Sequence, residues 1–211
     1  MIPANELIIF ALAALVMVLS PGPNMIYLIS RSICQGRNAG VISLLGVIAG
    51  FVVHMFAAAL GITALFLAIP FAYEIVKWLG ASYLLYLAWK MLKPGASSPF
   101  EPHALPIEPA HKLFTMGFVT NALNPKIAAF YLSIFPQFIS PEHGSVFLQS
   151  ILLGCVQIGV SFIVNLAIAL SAAELARWFS HHPVWLRVQR YFMGVMLGGL
   201  AVRLATEQRN A

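Results

Sequence analysis

Ser20-Pro21-Gly22-Pro23-Asn24 interrupts what is otherwise one apolar helix running from Leu7 to Ser30. Proline removes a backbone donor and clashes with the preceding turn, and two prolines around a glycine unwind a helix. In lipid, unwound backbone is tolerated only where protein buries it or where it lines a watery cavity. The half-helix that restarts near Pro23 presents free N–H groups, a positive end suited to a carboxylate or another anion. The plainer reading is a proline kink or a simple helix end.

The surrounding composition says why lipid is the relevant solvent. Of 211 residues, 60% are hydrophobic and only 9% charged, against about a quarter charged in a soluble domain. So much apolar surface exceeds what one soluble core can hide. Stretches of about 20 apolar residues are long enough to span a bilayer. Six are expected here, at Leu7–Ser30, Gly40–Ala68, Tyr73–Leu92, Leu113–Ile139, Val146–Ala173 and Trp185–Ala205. The sixth is shortened by Arg187 and Arg190. The first lacks the basic n-region and cleavage site of a signal peptide and is read as a mature helix. The four tryptophans, Trp78, Trp89, Trp178 and Trp185, fall near helix ends, where the headgroups lie.

The hydrophilic stretch from Lys93 to Lys112, rich in proline, serine and glutamate, divides the chain. The expected fold is an all-α integral membrane protein, a single transmembrane domain spanning residues 1–211. Repeat one covers about 1–92, the linker about 93–112 and repeat two about 113–211. Each half opens with a proline-broken helix, the second at Asn124-Pro125-Lys126. Lys77-Trp78 and Leu87-Ala88-Trp89-Lys90 in the third span find faint echoes in Arg190-Tyr191 and Leu200-Ala201-Val202-Arg203 in the sixth. Three spans is an odd number, so a duplicated half must insert upside down, the inverted-repeat plan of secondary transporters.

Orientation follows from the basic residues. With the N-terminus outside, Arg31, Arg37, Lys90, Lys93, Lys112, Arg177, Arg187 and Arg190 lie inside, and Lys77, Arg203 and Arg209 outside. That bias places both termini outside and the linker in the cytoplasm. The net charge of +5 is scattered over helix ends rather than gathered as a nucleic-acid footprint, so no nucleic-acid partner is expected. Cys34 and Cys155 have no metal or redox spacing.

Residues inside the spans carry the chemistry. Asn121-Ala122-Leu123-Asn124-Pro125-Lys126 adds polar side chains to the second break, followed by apolar residues from Ile127 to Phe135. A lysine buried there must be paired, neutralised or solvated in a cavity, or else snorkel to the surface. In the functional reading Lys126 pairs with a substrate carboxylate, while Asn121 and Asn124 hydrogen-bond its polar groups. His54, in mid-span, suits a proton relay or pH sensor and equally a neutral packing role. No Asp or Glu lies deep in a span. Gly36/Gly40, Gly46/Gly50 and Gly194/Gly198 have the spacing that lets helices approach closely. Ser161 and Asn165, four apart on the fifth helix, line a polar path or bond neighbouring helices.

Together these residues resemble a known family. The run Ser20-Pro-Gly-Pro-Asn24 with Arg31, Gly36, Arg37, Gly40 and Gly46 is similar to the start of the lysine-exporter (LysE/RhtB) family. The second run, Gly117-Phe-Val-Thr-Asn121-Ala-Leu-Asn124-Pro125-Lys126 continuing to Phe135-Pro136-Gln137-Phe138, is similar to its second half. The resemblance covers essentially the whole chain. It implies a bacterial inner-membrane, proton-driven exporter of amino acids or related metabolites, not an enzyme. The family's paired proline motifs match Pro21, Gly22, Pro23, Asn24, Asn124, Pro125 and Lys126; with Ser20 and Asn121 these are the expected substrate site, and the mid-span His54 is the candidate for proton coupling. No cofactor and no metal is implied; the partners are an amino-acid substrate and the lipid bilayer, with room for a homodimer. Some members carry an acidic residue in the second helix, where this chain has Phe51 to His54, which favours a neutral amino acid such as homoserine, threonine or leucine.

Rival readings meet missing residues. A thiol–disulfide relay needs a reactive cysteine beside each break, where this chain has Ser20, Asn24, Asn124 and Lys126. A membrane hydrolase would show a His pair or a Gly-x-Ser-x-Gly turn. A metal or cation exporter, the alternative that shares this architecture, needs clustered oxygen or thiolate ligands.

Overall fold

The computed structural model describes residues 2–20, 22–68, 105–181 and 183–206. Between the second and third of these it also describes Trp78, Ala81, Ser82, Leu85, Tyr86, Ala88, Trp89, Leu92 and Lys93. Pro21, most of the expected third span and the centre of the linker lie outside the described residues. Among those described, the regular structure is helical and no strand occurs.

Seven α-helices are bounded among the described residues: α1 (Ala4–Leu19), α2 (Pro23–Gln35), α3 (Arg37–Ala68), α4 (Ala110–Ala122), α5 (Pro125–Ser133), α6 (Val146–His181) and α7 (Pro183–Thr206). Both expected proline breaks are present. Each restarts with proline at the first helical position, where its missing N–H costs nothing and its fixed φ suits the helix. At the first break, α1 and α2 diverge by 56°. At the second, the Asn124 side chain caps α5 by accepting from the Lys126 backbone N–H at 3.0 Å. Gly36 turns the chain from α2 into α3 at φ +88°, a left-handed conformation that side chains resist.

Among the described residues two helices, at Arg37–Gly61 and Val146–Ala172, are long and apolar enough to cross a membrane, and the bent pair α1–α2, taken as one span, makes a third. Helix α6 shows most directly which solvent surrounds the molecule. Its outward residues Leu148 and Ile163 are 65% and 68% exposed, whereas Ser150, Gln157 and Ser161 on its inner face are fully buried. Apolar outside and polar inside reverses the pattern of a soluble helix and fits lipid around a polar interior.

Glycines set the closest packing. A methyl group added at Gly46 would overlap the Phe114 carbonyl oxygen, and one at Gly117 the Ser43 carbonyl oxygen. A Gly50 methyl would stand 2.6 Å from Cβ of Asn121. Helices α3 and α4 therefore run parallel with their backbones in near contact, as the small-residue spacing predicts. Helix α6 lies antiparallel to α3, with Gly154 against Met55 and Ala169 against Gly40. Helix α2 lies antiparallel to α4: Tyr27 Oη donates to the Leu113 carbonyl at 2.6 Å, and Gln35 exchanges hydrogen bonds with the Glu108 backbone at 2.6 and 3.0 Å.

Where the two helix breaks meet, at one end a knot of aromatic rings forms. Phe10 of α1 packs edge-on against Phe135 and Phe138, with centroids 5.3 Å away in each case, and Phe130 lies at 5.9 Å. Tyr131 rests 4.4 Å from Phe135. The result is an aromatic plug of buried rings beside the breaks, with the Tyr131 hydroxyl as its polar group.

Candidate functional site

The ends of four helices converge beneath this plug. Helix α1 ends at Ser20, whose N–H still bonds the Val16 carbonyl at 3.0 Å. The last carbonyls of α1 thus lack intrahelical donors, as at every helix C-terminus. Lys126, in the first turn of α5, supplies them. Its Nζ donates to the carbonyl of Ser20 at 2.7 Å and to that of Met17 at 3.2 Å. An ammonium facing the negative end of a helix is also well placed for the macrodipole.

Lys126 is 6% exposed, so it does not snorkel to the surface. Among the described residues no carboxylate reaches it; two of its three protons point to backbone oxygen. The closeness requires Gly22: a methyl there would stand 2.8 Å from Nζ and 3.0 Å from Cε. Gly22 is the N-cap of α2 in extended conformation and supplies no side chain to cap it. The amides of Asn24 and Met25 at the start of α2 precede the first helical bond, which Ile26 N–H makes to the Gly22 carbonyl at 3.0 Å. One end of the junction thus combines an ammonium with an uncapped positive helix terminus.

The expected site residues fall together here. Ser20, Asn24, Asn121, Asn124 and Lys126 are all buried, and Gly22, Pro23 and Pro125 form the backbone between them. Pro21 is outside the described residues. Asn24 Oδ1, both side-chain polar atoms of Asn121 and Nδ2 of Asn124 find no hydrogen-bond partner among the described residues. Buried amide groups are normally satisfied, so this concentration of unpaired atoms sets the junction apart from the rest of the described core.

His54 connects the site to α3. Its Nε2 lies 3.0 Å from the Asn121 carbonyl oxygen, and its ring stacks on Tyr131 with centroids 5.7 Å apart. It therefore sits on the C-terminal end of α4, one residue from the second break.

Sequence reasoning passed over Tyr131, Ser133 and Gln157. All three are buried, and their polar side-chain atoms lack partners among the described residues. For Gln157 the signal was readable, since it continues the Ser161/Asn165 spacing one turn earlier. For Tyr131, embedded in an aromatic run, nothing in the sequence distinguished it from core. Cys34 and Cys155 are not joined by a disulfide, and no group of three or more metal-ligating side chains occurs among the described residues.

Comparison with known proteins assigns the architecture to a class. Residues 15–208 match the family model described as "LysE type translocator". Proteins named "Leucine efflux protein" from Salmonella typhimurium are 32% identical over 202 residues, covering 94% of each chain. One of that name from Enterobacter sp. is 30% identical over 197 residues, 93% of each, and one from Klebsiella pneumoniae 29% over 199 residues, 94% of each. No solved structure matches the chain. A multi-pass membrane transporter, rather than an enzyme, is the class that these helices and relatives define. Within that class, the chain belongs to the LysE-type translocator family.

Proposed function

We propose that this protein exports a neutral amino acid, of which leucine is the first to test, from the cytoplasm across the bacterial inner membrane. The observation that carries the reading is the Lys126–Ser20 contact beside the uncapped start of α2. It gathers an ammonium and free backbone N–H groups, the donors a carboxylate needs, among the buried amide side chains of Asn24, Asn121 and Asn124. The names of the relatives support amino-acid efflux and do not favour a metal or cation cargo.

The six-span, inverted-repeat plan belongs to this proposal. Parallel α3 and α4, antiparallel α6, and two broken helices packed antiparallel at their breaks all support it. In this plan both termini face the periplasm. Substrate enters from the cytoplasm between the halves, and its carboxylate settles at Gly22–Asn24 and Lys126. The two halves then rock to open the aromatic plug formed by Phe10, Phe130, Phe135 and Phe138. Proton-driven antiport, with His54 as the coupling group on the carbonyl end of α4, completes the mechanism.

The test is efflux from cells preloaded with dipeptides, following all released amino acids with and without the protein. Selective release of leucine or another neutral amino acid is the expected result. An unchanged panel, with the protein present in the membrane, would overturn the assignment.

A further inference from the structure

The inner face of α6 has an unusual order. Ser150, Gly154, Gln157, Ser161, Asn165, Ile168 and Ala172 recur at helical spacing and are all buried. Apolar residues at the lower end of this face, Ile168 and Ala172, pack with Met25 and Ile29 of α2. Polar residues occupy the middle. Both amide atoms of Gln157 and the hydroxyl of Ser161 lack partners among the described residues, and both residues are 0% exposed. Asn165 instead donates to the Ser161 carbonyl at 2.8 Å and is accounted for within the helix.

Two contacts fix the level of these groups. Gly154 meets Met55 and Ala169 meets Gly40, so the antiparallel register places Gln157 and Ser161 on either side of the level of Gly50. Gly50 in turn lies against the Asn121 side chain, at the second break. The middle of α6 therefore stands level with the junction of the broken helices, as α2 begins just below it.

We infer that Gln157 and Ser161 form the subsite for the α-ammonium group of an amino-acid substrate. The inference rests on the proposed function and extends its site to a helix not so far assigned to it. An ammonium carries three donors and no acceptor, and no carboxylate lies deep in the described helices to receive it. The Oε1 of Gln157, the Oγ of Ser161 and the Oδ1 of Asn24 are buried neutral acceptors with open valences at this level. Asn24 stands at the start of α2, next to the N–H groups proposed for the carboxylate. A zwitterion's two charges, separated by one carbon, would thus find donors on α2 and α5 and acceptors on α6.

The test is competition against radiolabelled leucine on purified full-length protein, using unlabelled leucine and its des-amino analogue 4-methylpentanoate. Wild type should prefer leucine strongly. Gln157→Leu should weaken leucine about ten-fold, the loss of one hydrogen bond to a charged group. It should leave 4-methylpentanoate unchanged, so that the preference collapses. Ser161→Ala, a smaller change, should move the ratio in the same direction if Gln157→Leu fails to elute as a folded species. Equal weakening of both ligands, or an unaltered ratio in both variants, would overturn the ammonium subsite. In that event, retained leucine binding by wild type and its loss in Lys126→Ala would leave the proposed function standing. A wild type that binds no amino acid would overturn both.

Discussion

Lys126 and Ser20, 106 positions apart, are joined by a 2.7 Å hydrogen bond from an ammonium to a backbone carbonyl. This ties the start of one broken helix to the end of the other. The bond satisfies a carbonyl that the proline break leaves without a donor, and it anchors a buried side chain that no carboxylate reaches among the described residues. In the proposed function a substrate carboxylate would compete with those carbonyls for the ammonium, linking occupancy to helix position through one side chain.

Replacing Lys126 by alanine removes the charge and strands the Met17 and Ser20 carbonyls. Each buried acceptor left unsatisfied costs about 1–3 kcal/mol. Efflux of leucine from dipeptide-loaded cells should fall at least about ten-fold, with protein still detected in the membrane fraction. Export at the wild-type rate would remove Lys126 from the mechanism.

Gly22→Ala tests the same contact from the other side. The backbone of Gly22 is extended, so alanine is conformationally acceptable there. Its methyl would stand 2.8 Å from Nζ, forcing the ammonium away from Ser20. We expect reduced efflux with a small change in thermal stability, because the displaced group is the flexible end of a side chain. Efflux equal to wild type would show that the contact is dispensable.

The α3–α4 seam predicts a contrast among glycines. Gly46→Ala and Gly117→Ala each drive a methyl into a backbone carbonyl, which cannot step aside as a side chain can. Overpacking of this kind costs about 1–3 kcal/mol, and the Tm in detergent should drop accordingly. Gly61 and Gly159 have nothing within 4 Å of an added methyl. Alanine there should be neutral or stabilising by up to about 1 kcal/mol, measured in the same melt.

His54→Ala separates coupling from packing. Loss of the bond to the Asn121 carbonyl should cost about 1 kcal/mol in stability. If His54 carries the coupling proton, the pH dependence of efflux should also flatten in reconstituted vesicles under an imposed proton gradient. A lowered Tm with an unaltered pH profile would leave it as a packing residue between Asn121 and Tyr131.

The sequence by itself determined where two helices break and what surrounds them. Pro23 and Pro125 must begin helices, since ring geometry and the missing N–H are local properties. The outward Leu148 and Ile163 fit lipid, because 9% charged residues cannot cover a soluble surface. The paired motifs at Ser20–Asn24 and Asn121–Lys126 were legible for the same reason: their irregularity shows against apolar helices. What the motifs touch was decided only by the tertiary structure. That Lys126 reaches the end of α1, that Gly22 makes room for it and that Gln157 stands level with both depend on contacts between residues far apart in the chain. Such contacts arise from glycine seams and helix register, so the Gln157, Ser161 and Asn165 spacing shows a polar stripe in the sequence but not what that stripe faces. The burial of a polar group is settled by its neighbours in space, whereas a proline break is settled by its neighbours in the chain.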